Sequence, residues 1–196
     1  MPRITLFDDI GNRKYLTPNE RELFYEATEE VSKNWRMFGL MLYYTGCRLS
    51  EALNIKVKDI DFNAGAVTIG TLKQRRSGVY RQVPLSADYM KGLDNSFDLR
   101  ELQKKKKKIR ESRVWDWTRH NGYLVIKRIM QEADLQGIAA TPKGLRHAFA
   151  IACLDKGIPL NMVQKWMGHS SIETTAIYAN ATGEEERKLA ARLWER

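Results

Sequence analysis

A chain of 196 residues with 43% aliphatic and aromatic content suffices for one domain with a substantial core, alone or with a short appendage. Its formal charge of +9 and pI near 9.6 name a polyanionic partner class, nucleic acid foremost. The two cysteines, Cys47 and Cys153, sit in apolar helical surroundings without metal-ligand spacing, which argues against a zinc site and for reduced thiols in a cytoplasm. A signal-like amino terminus is not evident, and no apolar run approaches the ~20 residues of a membrane span.

Residues 1–16 have no usable period and read as an arm. Thr17-Pro18-Asn19-Glu20 opens a helix, with Thr17 as cap, Pro18 in the first turn and Glu20 closing a capping box. A second helix, about Trp35 to Tyr44, is apolar on most sides and belongs in the centre of the core. Thr45-Gly46 breaks it. Arg48 then stands at the start of the next helix, off the inward stripe of Leu49, Ala52 and Leu53, and fits either a cleft-facing guanidinium or an ordinary surface arginine.

Between Val57 and Leu85 the apolar period shifts toward two, with turns at residues 63–65 and 77–78. That pattern predicts an antiparallel sheet of about three strands in a mainly α protein. The last hairpin carries Lys73, Gln74, Arg75 and Arg76 at its tip, either a solvated turn or a basic finger within reach of a phosphate. Residues 86–118 are less legible. Their lysine run, Lys104 to Lys108, is a charged face suited to nonspecific backbone attraction.

A structural helix follows near Asn121 to Asp134. Thr141-Pro142 opens another, and Lys143 and Arg146 lie three apart on its first turn, where free backbone N–H groups already favour an anion. After Gly157 a helix spans about Ile158 to Met167. Gly168 stops it, and Ser170 with Glu173 reads as a capping box for a short helix that carries Tyr178 about two turns on, near His169. The same corner also suits a tyrosine that merely packs. Asn180 and Ala181 read as a hinge, and residues 182–196 as a terminal helix with Leu189, Ala190, Leu193 and Trp194 on one face. Glycine-rich phosphate loops, paired carboxylates and HExxH spacing are all missing from the sequence.

With Thr45-Gly46-Cys47-Arg48-Leu49-Ser50-Glu51, the basic hairpin, Gly144-Leu145-Arg146-His147, Met167-Gly168-His169-Ser170 and Thr174-Thr175-Ala176-Ile177-Tyr178 in this order, the chain resembles the catalytic domain of the tyrosine recombinases, or phage-type integrases, over about residues 17–196. Each motif alone is weak. Their order is specific. The resemblance implies that family's catalytic-domain fold for residues 17–181, and a terminal helix, 182–196, that docks on a neighbouring protomer. It implies a site-specific recombinase that cuts and rejoins double-stranded DNA through a 3'-phosphotyrosine at Tyr178, without metal or cofactor. Monomers in solution would assemble as tetramers at synapsis.

In the roles so carried over, Arg48 and Arg146 neutralise the phosphate oxygens, His169 donates a hydrogen bond to them, and Lys73 protonates the departing 5'-oxygen. Glu51 and His147 are expected to support this set from behind. Lys143 occupies a position that is usually histidine in the family. An ammonium accepts no proton, so Lys143 is expected to stabilise the phosphorane electrostatically, with base duty as the alternative. The family's separate amino-terminal clamp domain is not evident before residue 17. Two other readings stay open: a DNA-binding regulatory or architectural protein descended from such an enzyme, and a type IB topoisomerase-like enzyme.

Overall fold

The computed structural model describes residues 5–71, 78–179 and 191. Lys73 with the hairpin tip, the Asn180-Ala181 hinge and, apart from residue 191, the terminal helix lie outside the described residues.

Helix α1 (Pro18–Ala27) begins as its sequence dictates. The Thr17 hydroxyl accepts from Glu20 N, and the Glu20 carboxylate accepts from Thr17 N at 2.7 Å. Helix α2 (Lys33–Thr45) buries eight of its residues and packs on four other helices, which places it at the centre of the core. It ends at Gly46. A single short turn follows, α3 (Leu49–Ala52), with Arg48 as its cap residue.

The sheet is antiparallel in the order β1 (Ile60–Asp61), β2 (Ala66–Gly70), β3 (Tyr80–Pro84), with Val67 paired to Val83 and Ile69 to Arg81. Along β3 the pleat buries Arg81 and Val83 and exposes Tyr80, Gln82 and Pro84. The illegible stretch after it holds three helices, α4 (Ala87–Phe97), α5 (Leu99–Gln103) and α6 (Lys107–Arg110). Its anchor is Trp115, buried between Phe38 and Phe97 with ring centroids 5.3 and 5.7 Å away. Lys104 to Lys108 are exposed.

The remaining helices are α7 (Arg119–Glu132), α8 (Pro142–Asp155), α9 (Leu160–Met167) and α10 (Glu173–Ala176). Helix α8 joins two apolar clusters. Leu145 and Ala148 belong to the main core around α2, whereas Phe149, Ala150, Ile151 and Cys153 join Val163, Met167, Leu6 and Tyr178 in a second one. Residues 5–16 fold back on this second cluster, with Phe7 bridged to Arg13 and Leu6 buried. Among the described residues no helix is long and apolar enough to cross a membrane.

The expected Ser170 cap is corrected by the structure. Gly168 N donates to Lys165 O and His169 N to Gln164 O, so both N–H groups close the last turn of α9. The next helix therefore starts later, at Glu173, with Ile172 as its cap residue and no side-chain cap; Ser171, one position ahead, accepts from Glu173 N and donates to the Glu173 carboxylate at 2.9 Å. Tyr178 lies in the turn beyond α10, not within the helix.

Candidate active site

The α2–α3 corner, β3, the first turns of α8 and the α9–α10 corner meet around one buried carboxylate, Glu51. Its oxygens accept from Arg48 N at 2.9 Å, Arg48 Nη1 at 2.7 Å and Arg81 Nη2 at 2.6 Å. Burial would raise this carboxyl. The Arg81 charge and the Arg48 hydrogen bond outweigh it and hold it below the usual carboxylate range. Arg48 is thus fixed at the helix start while a quarter of its side chain stays open to solvent.

Arg146 is buried and reaches back to the same corner. Nη1 donates to Gly46 O at 2.6 Å, and Nη2 donates to Met167 O at 2.8 Å and to His169 Nε2 at 2.9 Å. Three of its five N–H donors are thereby engaged, and two are left for an anion. Burial, then the neighbouring Arg48 charge, lowers its pKa to about 10, so it remains a cation at neutral pH. Gly144 allows this approach. A Cβ there would sit 1.8 Å from Ala139 O, inside the backbone against which the first turn of α8 rests.

His169 has a determinable tautomer. Arginine only donates, so Nε2 must accept from Arg146; Nδ1 then carries the proton and donates to the buried Thr175 Oγ1 at 2.9 Å. Burial, and after it Arg146 and Arg48, lowers the His169 pKa to about 3. Gly168, at φ +65, lets the chain turn here, and a Cβ on it would meet the Arg81 guanidinium at 2.8 Å.

Tyr178 stacks on His169, ring centroids 6.2 Å apart and planes 12° from parallel. Only 3% of it is exposed. Its hydroxyl lies 2.8 Å from His147 Nδ1. Burial pushes the phenol up to about 12 against the opposing pull of Arg146 and Arg48. Burial, then Lys143 and Arg146, lowers His147 to about 3.

Arg48, Arg146, His169 and Tyr178 therefore share one pocket, although they come from segments far apart in the chain. Lys143 is exposed at its rim, with no hydrogen bond or ion pair among the described residues. Lys73 lies outside those residues. His147 is closer to the phenol than its expected supporting place. It is four residues beyond Lys143, and positions i and i+4 share a helix face, so that spacing was the signal. Arg81 went unrecognised too. Its alternation with Val83 along a strand placed a cation on the inward face, which requires a buried carboxylate.

Fold and pocket together define a mainly helical domain with a small antiparallel sheet, whose arginines and histidines surround a tyrosine near its carboxyl end. The chain belongs to the phage integrase family, whose model matches residues 14–185. It is 30% identical over 190 residues to the tyrosine recombinase XerA of Pyrococcus furiosus, covering 91% of this chain and 61% of that protein. It thus spans about three-fifths of that relative. Its fold is similar to the XerA recombinase crystal structure, with a TM-score of 0.75 at 24% identity over 93% of this chain and 65% of that one. It is also similar to the XerH site-specific recombinase bound to palindromic difH substrate in a post-cleavage complex, with a TM-score of 0.74 at 26% identity, covering 100% of this chain and 58% of that one.

Proposed function

We propose that this chain carries the catalytic centre of a site-specific DNA recombinase that cleaves and rejoins strands through a 3'-phosphotyrosine. The observation that carries the reading is the stacking of Tyr178 on His169 while His169 is bonded to Arg146, which brings a nucleophile to a fixed guanidinium. Attack on a phosphodiester builds negative charge on the nonbridging oxygens. The open face of Arg48 and the two unengaged donors of Arg146 neutralise it with groups that need no reorganisation. His169 adds a hydrogen bond once the phosphate draws Arg146 away from Nε2 and that nitrogen gains a proton.

Lys73 gives a proton to the 5'-oxygen that leaves. Lys143, at the rim, adds positive charge beside the phosphorane. The phosphotyrosine conserves the bond energy, so rejoining requires no external energy source. The partner is double-stranded DNA, and four protomers assemble at synapsis. Because phosphate contacts dominate binding in so basic a chain, affinity falls steeply with salt.

The test is covalent capture. Nicked duplexes containing a randomised segment are incubated with the protein, and denaturant-resistant adducts are isolated and sequenced to give a half-site. The wild type forms the adduct and Tyr178→Phe does not. An adduct with Tyr178→Phe, or none with the wild type on any duplex, refutes the reading. Exchange between two recovered sites separates recombination from topoisomerase-like relaxation.

A further inference from the structure

We propose that His147, and not Lys143, accepts the phenolic proton of Tyr178 as that oxygen attacks phosphorus. The inference rests on the strand-cleavage reading above and assigns the base that the lysine leaves open. Its first support is the 2.8 Å contact between His147 Nδ1 and the Tyr178 hydroxyl. The second is the other ring nitrogen, Nε2, which is buried with no partner among the described residues.

Those two observations select a tautomer. A neutral imidazole and a phenol hold one exchangeable proton each. With the imidazole proton on Nε2, the phenol O–H donates to Nδ1 and one polar group, Nε2–H, stays unsatisfied. With it on Nδ1, the ring donates to the phenol oxygen, and both the Nε2 lone pair and the phenol O–H lack partners. Each unmade buried bond is costly, so the arrangement with one orphan wins. It leaves Nδ1 unprotonated and already hydrogen-bonded to the proton it must take. Lys143 has neither property: its ammonium has no lone pair, and it stands exposed at the rim.

In the step itself the Tyr178 O–H bond breaks, an N–H bond forms at Nδ1, and the phenolic oxygen bonds to phosphorus. An imidazolium appears together with the extra negative charge of the phosphorane, so the two charges offset each other. In rejoining, the departing phenolate recovers the same proton. The groups that face His147 are Lys143 and Arg146 on its own helix, Lys14 from the amino-terminal segment, His169 from the α9–α10 corner, and Tyr178. Three of these are cations and keep the free imidazole weakly basic. A seated phosphodiester counters their charge, so DNA itself makes His147 an effective base.

The experiment measures single-turnover adduct formation on the captured half-site, across about pH 5 to 9, for wild type, His147→Asn and Lys143→Gln. Asparagine keeps a polar group near Nδ1 but takes no proton. His147→Asn should be slower by ~10²-fold, the low end for general base catalysis, with a rate that climbs with hydroxide concentration. Wild type should lose rate only as the imidazole is protonated at low pH, and Lys143→Gln should be slowed yet keep that profile. A wild-type rate for His147→Asn, or loss of the profile in Lys143→Gln alone, overturns the proposal while leaving the phosphotyrosine reading intact. A wild type that forms no adduct removes both. Nitrogen-15 NMR of the free wild-type protein decides independently of DNA and of any folding defect in the variants: the proton should reside on Nε2 of His147, and a proton on Nδ1 refutes the assignment.

Discussion

Replacing Glu51 with glutamine tests whether one buried carboxylate organises both flanks of the site. The amide keeps the shape but removes the charge that Arg81 faces at 2.6 Å and one of the two acceptor oxygens, of which Oε2 holds Arg81 Nη2 and Arg48 N and Oε1 holds Arg48 Nη1. The two ion pairs are not equivalent. Arg81 has 4% of its side chain exposed, so its guanidinium cannot turn to water, and breaking such a pair costs about 3–5 kcal/mol. Arg48, with 25% exposed, can rehydrate, and its share is under about 1 kcal/mol. The Arg81 term therefore dominates, and Glu51→Gln should lose roughly 3–5 kcal/mol in urea unfolding followed by circular dichroism, a large part of a typical domain's stability. At a few degrees per kcal/mol for this chain length, Tm should fall by about 6–20 °C. Arg81→Met should cost less, because Glu51 keeps Arg48 and its N–H. In the double variant no charge is stranded, so its loss should be at least ~2 kcal/mol smaller than the sum of the two single losses. Glu51→Gln within about 1 kcal/mol of wild type, or strict additivity in the double variant, would refute the claim that a stranded Arg81 charge is what this carboxylate prevents.

Acidification should destabilise the fold through His147 and His169. Both folded pKa values, about 3, lie below the ordinary value of 6.5. Between those limits the unfolded chain binds more protons, so stability is complete above about pH 6.5 and declines as pH falls toward 3; at about pH 5 the loss is roughly 2 kcal/mol per histidine. Urea midpoints that stay level from about pH 8 to 5 would disprove this. Thr175→Val removes the acceptor of the His169 Nδ1–H while keeping the shape, at a cost of about 1–3 kcal/mol, whereas Thr175→Ser retains the bond. Slower adduct formation should accompany the valine variant alone, and equal stability and rate for the two substitutions would show that this hydrogen bond does not position His169.

Local sequence chemistry determined much of this protein. The Thr17–Glu20 box, the stop at Gly46, the alternation through β3 and the Thr141-Pro142 start all act over one to four residues, and the folded chain keeps each of them. The ordered motifs likewise named Arg48, Arg146, His169 and Tyr178, because residue type and local spacing survive folding unchanged. Tertiary packing alone decided the rest. Whether His147 or Lys143 meets the phenol depends on where the α9–α10 corner delivers Tyr178. That corner ran two residues longer than its Ser170–Glu173 pattern implied: the His169 N–H closes α9 on Gln164 O, and Ile172 rather than Ser170 is the cap residue of the next helix. The same holds for Arg81 and Glu51, 30 residues apart, whose pairing exists only when a strand and a helix start are brought together in a dry interior. Side-chain hydrogen bonds across such distances have no periodic trace in a linear chain, since they are selected by the cost of leaving buried polar groups unpaired.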